Sequence, residues 1–320
     1  MDKVIKAESF LEFDEFAKKL VEKIRDQQIL LKNLFKTIVL ANSENRSIHL
    51  HVLKSDNNSR PQVGLLVREL SKTILDYCIP RKQIIQAVNH FKATQSTQRI
   101  VALKNEAQKL FTDISNSGEG GELLLFVLTE SVLGYPQVLS KMALKTSAKM
   151  HYHGLDGVYI SCSGNPGNLR LHFGESKIHK NPIGSVREAI CSIATMLKDE
   201  GFIESARRDY YLLNSHADLA NQDLEEALKK FLDPLDENFL APEICAVLLS
   251  GHEVKKYPVV MDKDEFPIEL IKKAKKLVKE LEIQTKDKGI NNFHIDQFLI
   301  PFPDVQVFRD LLLKELGLTS

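Results

Sequence analysis

The sequence predicts an α/β protein, with strands and helices alternating beyond about residue 116 and a mixed, mainly helical region before it. Three observations carry that expectation. Residues 155–160 and 169–177 alternate apolar and polar side chains on either side of Ser163-Gly164-Asn165-Pro166-Gly167-Asn168, as the two strands and the turn of a hairpin do. Residues 244–250 form a short unbroken apolar run, the pattern of a strand covered on both faces. Around that run, 182–198 and 267–284 repeat apolar residues at helical spacing, so each has one face to bury.

Taken in order, residues 8–25 place Phe10, Phe13, Phe16, Ala17, Leu20, Val21 and Ile24 on one helical stripe, with Ser9 as cap. Strands follow at 38–40 and 48–53, separated by the polar turn 42–46. His49 and His51 share one face of the second strand, but no third ligand stands near them, so they read as packed or solvated side chains. Helices are expected at 62–78, 81–93 and 97–115, from the stripes led by Leu66 and Leu70, Ile84 and Val88, and Leu103 and Ala107. Periodicity stops at 113–121, where Ser, Asn and Gly cluster. The expected division is therefore 1–115, an N-terminal region suited to partner docking, and 116–320.

Beyond it, 122–130 is apolar on nearly all sides, the mark of a helix buried between layers, with Glu122 in its first turn. A carboxylate there is favoured by the helix dipole, so a helix start alone would explain it. Asn181 caps and Pro182 begins the helix at 182–198. Residues 203–240 read as polar and helical, a last strand falls at 293–300, and a terminal helix at 304–316.

Composition narrows the function classes. The 43 basic and 43 acidic residues cancel, so any attraction for nucleic acid must be local. Lysines at 272–279 make one basic helical face, diluted by Glu269, Glu280 and Glu282. The four cysteines, Cys78, Cys162, Cys191 and Cys245, are widely separated, which argues against a zinc knuckle or a disulfide scaffold and for reduced, mostly buried thiols. With no spanning apolar stretch and no signal-peptide core, a cytoplasmic protein is expected.

The chemistry centres on the hairpin. Strand side chains repeat with period two, so Glu175 and Lys177 share a face that Asp156 on the neighbouring strand can reach. Phosphodiester hydrolysis uses a hard cation, held by carboxylates and waters, to neutralise phosphoryl oxygens and acidify an attacking water. Asp156 and Glu175 supply such carboxylates, Glu122 a further one, and the Ser176 carbonyl another oxygen; Lys177 can orient water or stabilise developing charge. The competing reading is a salt bridge across a hairpin, which is common and contributes little. A second Glu-x-Lys, Glu253-Val254-Lys255, follows the 244–250 run but has no acidic hairpin partner and reads as a solvated strand exit in a polar turn.

At these residues the chain resembles the PD-(D/E)xK nucleases, with Asp156 as the acidic residue and Glu175-Ser176-Lys177 as the (D/E)xK element, though Leu155 stands where proline would. Gly121-Glu122-Leu123-Leu124, Gly154-Leu155-Asp156-Gly157 and Phe173-Gly174-Glu175-Ser176-Lys177 are more specifically similar to the HamA family, nuclease effectors of Hachiman anti-phage defence systems. The likeness covers about 115–200. It implies a restriction-endonuclease-like core, a mixed sheet flanked by helices, that cuts DNA with Mg2+ or Mn2+ bound by Asp156, Glu175, Glu122 and Ser176. It also implies control by a helicase subunit resembling HamB. Two alternatives stand beside it: a nuclease-like subunit that binds nucleic acid or a partner without cutting, and a site-specific restriction or repair endonuclease.

Overall fold

The computed structural model describes residues 13–24, 33–43, 45–111, 118–140, 155–162, 168–198, 217, 219, 221–263 and 265–318. Among the described residues seven strands make one sheet: β1 (Phe35–Ser43), β2 (Arg46–Leu53), β3 (Gln137–Ser140), β4 (Gly157–Cys162), β5 (Leu169–His179), β6 (Glu243–Glu253) and β7 (His294–Phe302). Their spatial order is β1-β2-β7-β6-β5-β4-β3. The four central strands β2, β7, β6 and β5 run parallel, while β1 and the β3–β4–β5 meander pair antiparallel at the two edges.

Burial on both faces explains why β6 and β7 read as apolar runs without alternation: nearly every residue of each is buried. On one face lie α7 (Pro182–Lys198) and α9 (Ile268–Asp287), with α1 (13–21) and α8 (Gln222–Leu232) in the same apolar cluster. The other face is covered by α2 (Val63–Ser71), α3 (Ile74–Cys78), α6 (Glu119–Leu128) and α10 (Val305–Glu315). All ten residues of α6 are buried. Each of its fully buried Leu and Phe side chains contributes roughly 1.5–3 kcal/mol, so a helix apolar all round belongs between layers.

The sheet crosses the division expected at 115/116, because β2 pairs with β7 in the register Ile48↔Gln297. The helix expected at 62–78 is two, α2 and α3. Thr73 ends the first: its hydroxyl and its amide both bond the Leu70 carbonyl, at 2.8 and 2.9 Å, and this local side-chain bond competes with helix continuation. α4 (Arg81–Thr94) and α5 (Gln98–Leu110) follow, packed on each other across a three-residue turn. Strand β3 had no sequence signal, being four residues at an edge with an irregular register against β4. Before it a π-helical turn, Thr129–Leu133, ends at Gly134, whose φ of +72° suits glycine.

Residues 163–167 of the expected turn 163–168, residues 113–117 of the expected break 113–121, the cap Ser9 and residues 203–216 of the expected helical stretch 203–240 lie outside the described residues. Of the parts described, 119–121 open α6 instead of breaking the chain, and 233–240 are turn after α8 ends at Leu232. All four thiols are free, but only Cys78 and Cys245 are buried; Cys162 is half-buried and Cys191 exposed, because it falls on the outer side of α7. Among the described residues, no helix is long and apolar enough to cross a membrane.

Gly174 shows how tightly the hairpin meets the helical layer. A Cβ there would stand 2.9 Å from the Tyr159 ring, 3.2 Å from the Gly157 carbonyl and 3.3 Å from Leu125, all fixed groups. Gly174→Ala should therefore cost about 1–3 kcal/mol by overpacking, read as a lower urea midpoint with the slope unchanged.

Candidate functional site

The register of the hairpin brings the site together. Gly157 pairs with Gly174, so Asp156, one residue before β4, stands beside Glu175 across the ladder, and the Asp156 amide donates to the Gly174 carbonyl at 3.0 Å. Asp156 is buried, and its Oδ2 accepts from both the amide and the hydroxyl of Ser176, each at 2.8 Å. Two donors on one carboxylate oxygen hold the side chain in place. Ser176 thus meets Asp156 through its donors.

Alternation along β5 sends Phe173, Glu175 and Lys177 toward α7, and Gly174, Ser176 and Ile178 toward α6. Glu175 is 3% exposed, and Lys177, whose side chain keeps 30% of its exposure, donates from Nζ to Glu175 Oε1 at 2.5 Å. Burial first, and the Asp156 charge second, push the Glu175 carboxyl above its ordinary range, against the opposite pull of Lys177 and of the Ser192 hydroxyl on α7. Two carboxylates in one buried corner therefore resist sharing it as anions.

Glu122 reaches the same corner from the other layer. Gly121 lets α6 lie close on β5: a Cβ there would stand 3.1 Å from Ser176 Oγ and 3.2 Å from Ile178 Cδ1. Glu122 is buried, and Tyr77 Oη on α3 donates to its Oε2 at 3.1 Å. Burial, then the charges of Glu122 and Asp156, raise the Tyr77 phenol well above its ordinary value, so it stays a donor. Sequence periodicity pointed to neither Tyr77 nor Glu119, a second buried carboxylate in the first turn of α6. The signal available for Glu119 was its place three residues before Glu122.

The other Glu-x-Lys is built differently. Glu253 is the last residue of β6, paired with Phe302, so the expected polar turn is corrected to a strand end. Lys255 lies past the strand and is exposed. Among the described residues no aspartate stands across the ladder from Glu253.

A further polar cluster lies at the opposite end of the parallel strands. His172 Nδ1 and His294 Nε2 approach Asp296 Oδ2 at 3.7 and 3.3 Å, Ser161 Oγ meets His172 Nε2 at 2.8 Å, and Tyr135 stacks on His172 with ring centroids 4.1 Å apart. Burial holds the His172 ring well below its ordinary value, and His51, buried against Thr37, is pushed down to about 3. Both rings are therefore neutral at pH 7. Strands distant in sequence assemble this cluster, so spacing could not reveal it. Among the described residues, no group of three or more His, Cys, Asp or Glu side chains is disposed to hold a metal ion.

The model of the HamA family matches residues 28–316 of the 320, spanning every strand of the sheet and both layers over it except α1. No curated protein matches the chain. A family match over nine-tenths of the length means that the chain belongs to the HamA family, a component of Hachiman anti-phage defence systems.

Proposed function

We propose that the protein is a divalent-cation-dependent DNA nuclease, the effector of an anti-phage complex controlled by a helicase partner resembling HamB. The observation that carries this reading is buried Asp156 and Glu175 side by side across the β4–β5 ladder, with Lys177 on Glu175 and with Tyr77 linking in Glu122 from the α6 side, on a helix, three antiparallel strands, a helix and a parallel strand, α6-β3-β4-β5-α7-β6. That order supports a PD-(D/E)xK core with the residues in the motif's places.

The donor set suits a hard cation. Magnesium is held by one or two carboxylates and keeps several waters, so Asp156 and Glu175 would suffice; among the described residues Glu122 does not complete a three-carboxylate group with them and stays bonded to Tyr77. The raised Glu175 carboxyl fits this: a cation between the two anions relieves their repulsion. When bound, the ion supplies charge neutralisation at the phosphate and acidification of water. The remaining roles fall to the chain itself. The Ser176 amide and hydroxyl aim Asp156; Tyr77 aims Glu122; Lys177, partly exposed beside Glu175, holds the attacking water and faces the charge that develops on phosphate.

The test is supercoiled plasmid incubated with the protein and its helicase partner, with and without ATP, in magnesium or in EDTA. Degradation only in magnesium, and only in the partner's presence, is expected. Intact plasmid with a folded complex would leave a binding subunit instead. Tyr77→Phe should slow cleavage about 10- to 100-fold, since losing a hydrogen bond to a charged group is worth ~1.5–3 kcal/mol.

A further inference from the structure

We infer that the α4–α5 hairpin is a phosphate-binding surface that carries the nucleic acid for the Asp156–Glu175 site; the inference rests on the nucleic-acid reading of that site. The whole chain sums to zero charge, yet residues 81–110 hold six Lys and Arg against the single Glu106, net +5, with no Asp. That is the largest local departure from neutrality that the two helical lysine stretches offer. The α9 stretch 268–287 has six Lys against Glu269, Glu280, Glu282 and Asp287, net +2. There Lys272 is engaged by Glu269, and Glu280 by Arg187.

The hairpin also buries little. α4 and α5 each bury one residue, Ala87 and Ala107, whereas α6 buries all ten of its own. Its root is fixed by ion pairs: Arg81 to Glu130 at 3.3 Å and Lys82 to Glu225 at 2.6 Å. The remaining cations, Lys92, Arg99, Lys104 and Lys109, are exposed and make no ion pair among the described residues. Four exposed cations without an ion pair among the described residues, spread around an amide-rich helix pair, match a polyanion. They match a protein partner poorly, since charges are depleted from the cores of protein interfaces and the exposed apolar residues here, Ile85 and Val101, stand singly on separate helices.

The position suits the substrate. α3, directly before the hairpin, packs against α5 and carries Tyr77, the residue that bonds Glu122 in the site. Phosphate held on α4–α5 is thus one short helix from the carboxylates.

Four phosphate contacts set the expected magnitude: a log–log slope of binding against salt of about −3.6 on duplex DNA, or about 150-fold between 50 and 200 mM. The experiment is duplex and single-stranded oligonucleotide binding by the full chain in EDTA. Cleavage is then silent, and failure of the nuclease reading cannot mimic failure of this one. K92Q/R99Q/K104Q/K109Q should flatten the slope to near zero, and K104Q alone should lower it by about 0.9. K273Q/K275Q/K276Q/K279Q on α9 should leave it unchanged. An unchanged slope in both hairpin variants, or loss transferred to the α9 variant, would overturn the inference. So would a hairpin variant that keeps nucleic acid but loses a protein partner.

Discussion

Asp156→Ala, Glu175→Ala and Lys177→Ala should each lower DNA cleavage about a thousandfold or more, because removing one preorganised charged group at a phosphoryl site typically costs 10²–10³ and here the groups act as a unit. Glu122→Ala should cost less, about 10- to 100-fold, since Glu122 enters from the opposite layer through Tyr77. Glu253→Ala and Lys255→Ala are the matched controls and should retain full activity. Stability separates chemistry from folding. Asp156→Ala leaves the Ser176 amide and hydroxyl without their acceptor and should lose about 1–3 kcal/mol. Glu175→Gln should do the reverse. Burial and Asp156 raise the Glu175 carboxyl, so its ionised form opposes folding above its unfolded-state value, and the neutral amide removes that opposition at pH 7 but not near pH 4. An inactive Glu175→Gln that melts higher than wild type at pH 7 is the expected pairing. Full activity in the Lys177 variant would mean that the proposed roles are wrong.

Acid should unfold the protein early. His51 is pushed down to about 3 and His252 to about 4, and His172 is held well below its ordinary value; burial is the main cause for all three. The sign follows from proton uptake. Below about pH 6.5 the unfolded chain protonates these rings while the folded one does not, so stability falls as pH drops toward the folded-state values. At pH 5 the buried neutral rings of His51 and His252 each cost about 2 kcal/mol relative to pH 7, about 4 kcal/mol together, against the ~5–15 kcal/mol of a whole domain, and His172 acts in the same direction. Glu175, shifted upward, offsets a small part of this loss. Urea unfolding at pH 7, 6 and 5 reads it, and His51→Gln should recover about 2 kcal/mol of it. Equal midpoints at pH 7 and pH 5 would contradict the burial of these rings.

Different parts of the molecule were legible in sequence for different physical reasons. Val158, Ile160, Leu171 and Phe173 alternate because the hairpin presents unlike faces, and the 244–250 run is unbroken because β6 is buried on both. Those patterns are local, and they located β4, β5 and β6. Glu175 and Lys177 at i, i+2 necessarily share a face, so their pairing in the candidate site was readable too. β3 is too short to show a period, and the pairing of β2 with β7 joins residues about 250 apart, which no window captures. Tyr77 reached the site only through tertiary packing of α3 on α6, and the His172–Asp296–His294 cluster only through strand order. The Thr73 break shows a hydroxyl overriding the apolar stripe that runs from Leu66 to Leu75.

The most direct measurement of the central claim is the position of manganese in crystals soaked with the ion, located by its anomalous scattering. The account predicts one or more sites between the Asp156 and Glu175 carboxylates, at ligand distances of ~2 Å, lost in Asp156→Asn. No ion at that corner, or an ion held instead at His172 and Asp296, would contradict it.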